Sequence, residues 1–397
     1  MPHRDLSIFS GTPAFSSILH VGRPNIGNHR RFLELMDDML DRRWFSNDGP
    51  YVKEFEKKIA EYLDVKHCIV MCNGTIALEI AIRALELKGE VIVPSFTFIA
   101  TAHSLQWQGI TPVFCDIDHQ THHLDPDAIE KMITPRTSGI LGVHTWGRPC
   151  DIEALSDVAE KHNLKLLFDA AHAFGCSHNG RMIGNFGSVE VFSFHATKFF
   201  NTLEGGAVVT NNEDLARKMR LMKNFGFAGY DNVIYIGTNG KMNEASAAMG
   251  LTNLESLDEF VAVNRKNYEH YYAGLKDIPG IKILQYENHE KQNYQYIILE
   301  VDKSEAGLSR DELLTVLHAE NVLARRYFYP GCHRMEPYHS YFPHSHLLLP
   351  ETEKVVQRVL VLPTGNTITN EHISTICSTI RVAVKNFSKV KKKLQSI

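Results

Sequence analysis

No stretch of this 397-residue chain approaches the roughly 20 consecutive apolar residues that a membrane-spanning helix requires. An integral helical membrane protein is therefore not expected. The opening residues, Met1-Pro2-His3-Arg4-Asp5-Leu6-Ser7, lack the apolar core of a secretion signal. Seven cysteines are scattered along the chain with no C-x-x-C pair, and their odd number suits reduced thiols in a cytoplasmic protein. Neither sign of charge is in excess. Forty-two Lys and Arg against 46 Asp and Glu leave a net charge of −4, so neither nucleic acid nor a membrane surface is expected as partner. The short Lys389-Val390-Lys391-Lys392-Lys393 run reads as a solvated helix end. Gly237-Thr238-Asn239-Gly240-Lys241 lacks the spacing of a nucleotide phosphate loop. Histidine is plentiful, but His333, His339, His344 and His346 stand among aromatics and prolines without a Cys or carboxylate cluster, so no metal site is expected.

What is present is alternation. Short apolar runs at 68–71, 90–93, 112–115, 139–143 and 165–168 are separated by helical patterns at 75–85, 100–108 and 152–162. Such alternation predicts a largely parallel α/β sheet covered on both faces. Runs at 189–193 and 207–210 add strands without long helices between them and predict an antiparallel edge. Helices are expected earlier, at 30–44 and 52–62, around a turn at 46–50. Beyond about 250 the pattern changes to a long helix at 254–272, strands at 293–301 and 359–363, and helices at 310–320 and 372–385. The expected division is a large domain over 1–250 and a smaller α+β domain over 251–397.

Chemistry-bearing residues cluster at the ends of the predicted strands. Asn73-Gly74-Thr75 lies between a strand and a helix, where free N–H groups attract phosphate, although Asn73 or Thr75 also suits an ordinary helix cap. Pro94-Ser95-Phe96-Thr97-Phe98 offers aromatics for a flat ring or for the core. Asp169 closes an apolar strand, and Ser193 stands five residues before Lys198. A lysine amine forms a Schiff base with an aldehyde cofactor, and a carboxylate facing a pyridine nitrogen keeps that ring an electron sink. A single lysine in a loop is ordinarily a surface residue. The order of these motifs, each at a strand end, is what singles out Lys198.

These motifs resemble the DegT-type sugar aminotransferases, pyridoxal phosphate enzymes of the aspartate-aminotransferase fold (fold type I). Glu204-Gly205-Gly206, Lys223-Asn224-Phe225-Gly226 and Gly237-Thr238-Asn239-Gly240-Lys241-Met242 extend the likeness over nearly the whole chain. The resemblance implies a mostly parallel, mixed seven-stranded sheet with a smaller α+β C-terminal domain, and pyridoxal 5'-phosphate as cofactor. It implies Lys198 as Schiff-base residue and proton shuttle, and Asp169 as partner of the pyridinium. Phe98 would stack on the ring, and His172 would lie near its 3-oxygen. Gly74, Thr75 and Ser193 would hold the phosphate. Asn239 matches the position that reaches the phosphate in the partner subunit, which implies a homodimer with shared active sites. Two positions depart from the family pattern: Lys223 stands where Arg is usual, and Gly240-Lys241 where Tyr-Arg is usual. Both bear on substrate contacts. Relatives with His at the Schiff-base position act as ketosugar dehydratases, so Lys198 favours transamination.

Family members use a nucleotide-linked keto sugar and an amino acid, usually L-glutamate. Val21-Gly22-Arg23-Pro24-Asn25 and His144-Thr145-Trp146-Gly147-Arg148-Pro149 look most like the 4-aminotransferases of dTDP-4-keto-6-deoxyglucose, which serve surface polysaccharides such as O-antigen or glycosylated metabolites. A C3 aminotransferase, or one acting on a UDP- or GDP-linked sugar, is the alternative. Arg325, Arg326, Tyr327 and His333 fall in the region that flanks the sugar nucleotide in relatives, where Arg suits a diphosphate or a donor carboxylate. The two arginines also suit plain surface charges.

Overall fold

The computed structural model describes residues 5–287 and 289–396, so residues 1–4 of the segment inspected for a secretion signal lie outside it. The apolar runs become β1 (His67–Met71), β2 (Glu90–Pro94), β3 (Thr111–Cys115), β4 (Thr137–Val143), β5 (Lys165–Asp169), β6 (Val189–Ser193) and β7 (Gly206–Thr210). They form one mixed sheet in the order β1-β7-β6-β5-β4-β2-β3. Neighbours from β6 through β3 run parallel, whereas β7 is antiparallel to both β6 and β1. The antiparallel region expected at 189–210 is thus present but is not the edge. β7 lies inside β1, and all five of its residues, Gly-Ala-Val-Val-Thr, are buried.

Strand alternation supplies both faces of the core. In β1, Cys68 and Val70 join one apolar cluster, and Ile69 and Met71 join the other. Helix Pro50–Leu63 packs in the first cluster, and helices Gly74–Ala84 and Ile99–Gln106 in the second. Buried Glu244 accepts the Tyr51 and Val52 N–H groups, each at 2.9 Å, and so caps helix Pro50–Leu63 from another element.

The Lys223 departure proves structural. Its side chain is buried, and Nζ lies 2.9 Å from Asp48 and 3.1 Å from Glu56, which also accepts the Val70 N–H. It therefore joins the 46–50 turn, helix Pro50–Leu63 and β1. Replacing Lys223 with Met is expected to cost about 3 kcal/mol in chemical denaturation, because Glu56 loses a buried counter-charge. Arg220, which also pairs with Glu56, keeps the loss from being larger.

The C-terminal region builds a second core on a three-stranded antiparallel sheet of Ile281–Ile283, Ile297–Val301 and Val359–Leu362. Leu6, Phe15 and Leu19 pack into this core, and Leu19–His20 pairs with Val322–Leu323. The N-terminal segment therefore packs against the C-terminal region, a crossing that division by chain order misses. The single long helix expected at 254–272 is two helices, Glu244–Glu255 and Leu257–Leu275, meeting at Ser256. The strand expected from 293 starts at Ile297, because Asn293 and Gln295 give their side-chain amides to the His172 carbonyl. The lysine run lies in helix Phe387–Leu394, where Val390 is buried. Among the described residues no helix is long and apolar enough to cross a membrane.

Candidate active site

The carboxyl ends of β1, β2, β5 and β6 open on one cavity of about 520 Å³, whose lining includes Gly74, Thr75, Phe98, Asp169, Ser193 and Lys198. Side chains predicted from widely separated motifs therefore meet at the crevice where open α/β sheets bind ligands.

Asp169, the last residue of β5, is buried. The Thr101 hydroxyl donates to its Oδ2 at 2.8 Å and the Ala171 N–H to its Oδ1 at 3.1 Å. Thr97 Oγ1 lies 2.9 Å from Thr101 Oγ1, so the hydroxyl that fixes the carboxylate is itself held by a second one four residues earlier. Burial pushes the Asp169 carboxyl up from its ordinary range, and the Thr101 donation, the Ala171 N–H and the Lys198 charge act against that rise. Thr101 was not among the expected residues. Its signal is the hydroxyl four positions after Thr97.

Lys198 follows a turn in which its own N–H bonds the His195 carbonyl at 2.8 Å. Burial lowers its ammonium from 10.5 to about 8, with the Asp169 carboxylate opposing. The neutral, nucleophilic amine therefore grows as pH rises through about 8. We expect the cofactor-free protein to capture an aldehyde about tenfold faster at pH 9 than at pH 7. Stopped-flow absorbance checks this, and a rate still climbing steeply toward the pH of an ordinary lysine would contradict it.

At the opposite end, Asn73 caps helix Gly74–Ala84 by accepting the Ile76 N–H at 2.8 Å, so the cap reading holds for Asn73. The N–H groups of Gly74 and Thr75 begin the helix without intrahelical acceptors. A Cβ on Gly74 would lie 3.0 Å from Ser193 Cβ, and one on Gly206 only 2.6 Å from the Asn73 carbonyl carbon. The glycines let helix start, β6 and β7 close on one point. Helix N–H groups, Thr75 and Ser193 converge there, a set of donors of the kind that binds phosphate.

Phe96 is fully buried core, whereas Phe98 is 58% exposed and lines the cavity, free to cover a flat ring. His172 forms a wall, stacked with Phe328 at 5.8 Å between centroids, and Phe328 stacks in turn on Trp146 at 5.1 Å. The Trp146 N–H points to His172 Nδ1 at 3.3 Å. Burial holds this imidazole well below its ordinary pKa, so it is neutral with its proton on Nε2.

Not every expected residue reaches the cavity. Arg325 and Tyr327 line it, but Arg326 pairs with Asp311 at 3.0 Å and lies over the Tyr329 ring. His333 is buried elsewhere, with Nδ1 at 2.6 Å from Ser95 Oγ and Nε2 on Glu353. Asn239 is exposed and does not line the cavity of its own chain. Lys241 bonds Asn224 at 3.0 Å, also outside it. Tyr296 and Phe328, which no motif flagged, also line it, as do His195 and Glu204, which stand within the motifs without an assigned role.

A cradle for a phosphate, a buried carboxylate, a free aromatic face and a burial-lowered amine in one cavity fit a phosphorylated pyridine aldehyde. Comparison with known proteins points the same way. Residues 28–381 match the DegT/DnrJ/EryC1/StrS aminotransferase family. A dTDP-4-amino-4,6-dideoxy-D-glucose transaminase of Shigella dysenteriae is 40% identical over 365 residues, 91% of this chain and 98% of the relative. The Escherichia coli transaminase of the same name is 35% identical over 86% of this chain and 92% of its own. A solved structure of DesI, determined in the presence of its TDP-sugar product, superimposes with a TM-score of 0.94 at 46% identity, covering 98% of this chain and 99% of that one.

Proposed function

Since the chain belongs to the DegT/DnrJ/EryC1/StrS aminotransferase family, we propose that it transfers the amino group of L-glutamate to C4 of a dTDP-4-keto-6-deoxy sugar, giving dTDP-4-amino-4,6-dideoxyglucose. The observation that carries the chemistry is the meeting of Lys198 and Asp169 in one cavity at the strand ends. The likeness to two transaminases of that product name supports the sugar and the position.

Pyridoxal phosphate, when bound, supplies the aldehyde that carries the amino group and a ring that stores electrons. Gly74, Thr75 and Ser193 would hold its phosphate end, and Phe98 would cover the ring. Asp169, fixed by Thr101, would face the ring nitrogen and keep it protonated. His172 offers its Nε2–H as a neutral donor. Lys198 Nζ, with a pKa of about 8, takes a proton from the α-carbon of the amino donor and, in the second half-reaction, delivers one to C4 of the sugar. Donor and acceptor use the same site in turn, so ping-pong kinetics follow. Arg325, exposed at the cavity mouth, is assigned to the sugar diphosphate or the donor carboxylate.

A homodimer with shared active sites belongs to this proposal. Its support is Asn239, exposed and outside the cavity of its own chain, near a hairpin that exposes Phe227, Tyr230 and Val233. A cytoplasmic setting is supported by seven unpaired cysteines. Incubation with L-glutamate and dTDP-4-keto-6-deoxyglucose, followed by NMR of the product, tests the assignment. An amine on C4 is expected; an amine on C3, or turnover only with another nucleotide sugar, would overturn it.

A further inference from the structure

A second cavity, of about 470 Å³, has Asp118, Asp125, Arg148, Asp151, Glu287 and Gln292 in its lining. Two groups lining it each carry one atom with no hydrogen-bond partner among the described residues. Arg148 makes no ion pair, and its Nη1 is buried without an acceptor. Gln292 is 5% exposed, and its Oε1 is buried without a donor. Leaving each such group unpaired costs about 1–3 kcal/mol, more where the group is charged. The fold tolerates two of them at one cavity.

The remaining polar groups say what would satisfy both. Five carboxylates, Asp118, Asp125, Asp151, Glu153 and Glu287, line the same space. Four are already engaged: Asp118 accepts the Gln120 and Thr121 N–H groups, Asp125 and Asp151 cap helix starts, and Glu153 holds His178. Glu287 faces His289 at 3.4 Å. Their charge repels a dianion such as phosphate, while the free Nη1 of Arg148 lacks an acceptor, a place that one carboxylate oxygen fills. A molecule that carries one carboxylate for Arg148 and one ammonium for Gln292 Oε1 and the surrounding acids meets both demands.

We propose that this cavity is a binding site for a neutral, zwitterionic α-amino acid, separate from the catalytic cavity. Its place in the fold is informative. Gly147, next to Arg148, passes so close to the His172 carbonyl that a Cβ would lie 2.8 Å from it. Asn293, next to Gln292, donates to that same carbonyl at 2.8 Å. Arg148 and Gln292 are thus each one position from a residue packed against the His172 carbonyl, and a bound amino acid braces that wall of the catalytic cavity.

The test uses the holoenzyme with its catalytic site blocked by borohydride reduction, so that uptake there cannot contribute. Equilibrium dialysis with labelled L-alanine should find one equivalent per chain, and L-alanine should raise the melting temperature. Arg148→Met and Gln292→Leu should each weaken uptake at least tenfold. Arg148→Met removes an unsatisfied donor together with a distant attraction to Glu287 and Asp118, so its melting temperature should stay close to that of the parent. Should that variant fail to fold, Gln292→Leu and the thermal shift of the parent protein still decide. No uptake of L-alanine at millimolar concentration, which is the result for a merely hydrated cavity, would overturn the proposal. So would undiminished uptake by both variants, or equal uptake of propionate, which lacks the ammonium.

Discussion

Lys198→Ala is expected to lower turnover by about 10⁴-fold, the upper end of what one acid–base group contributes, because the same amine also engages the aldehyde. Among the described residues no other lysine lines the cavity, so no neighbouring amine replaces it. The variant should fold normally, since the side chain lines a cavity rather than packing in the core and its removal relieves a desolvated ammonium. Lys198→Arg should be equally inactive: guanidinium stays charged at every accessible pH and neither attacks a carbonyl nor accepts a proton. Steady-state kinetics beside a melting curve check both. Residual activity within about tenfold of the parent would remove Lys198 from the chemistry.

Asp169→Asn should cost about 10²–10³-fold in kcat, the scale on which one pre-aligned charge matters at a water-excluded site. The substitution keeps the shape: its one oxygen stays on the Ala171 N–H, and the Thr101 hydroxyl turns to accept from the new amide, so the loss reports mainly the negative charge. Thr101→Val should do less, about tenfold, by leaving Asp169 Oδ2 short of a donor in a buried setting. The order Asp169→Asn below Thr101→Val below parent follows from the geometry. Equal effects of the two would mean that packing, not charge, is what the site requires.

The sheet was legible because both of its faces are covered, so its strands read as nearly continuous apolar runs. Asp169 and Lys198 were legible because each stands just after such a run, where the topology brings strand ends together. Arg325 and Arg326 were not separable. They are neighbours on extended backbone, where successive side chains point to opposite sides, and Arg325 alone lines the cavity. The burial of His333 depends on Ser95 and Glu353, one of them 238 residues away, and no local pattern announces such a contact. The same holds for Lys223, whose partners Asp48 and Glu56 lie in a turn and a helix far back in the chain. Thr101 was readable in principle from its spacing to Thr97, but its role exists only because β5 ends against that helix start. The crossing of Leu6, Phe15 and Leu19 into the C-terminal core is likewise tertiary, set by which apolar surface remained uncovered.

The most direct test of the account is to reduce the cofactor-loaded protein with borohydride and map the modified residue by peptide mass spectrometry. The account predicts loss of the visible absorbance and a single modified position, Lys198, with no labelling in Lys198→Ala. Modification at another lysine, or a protein that takes up no pyridoxal phosphate, would contradict it.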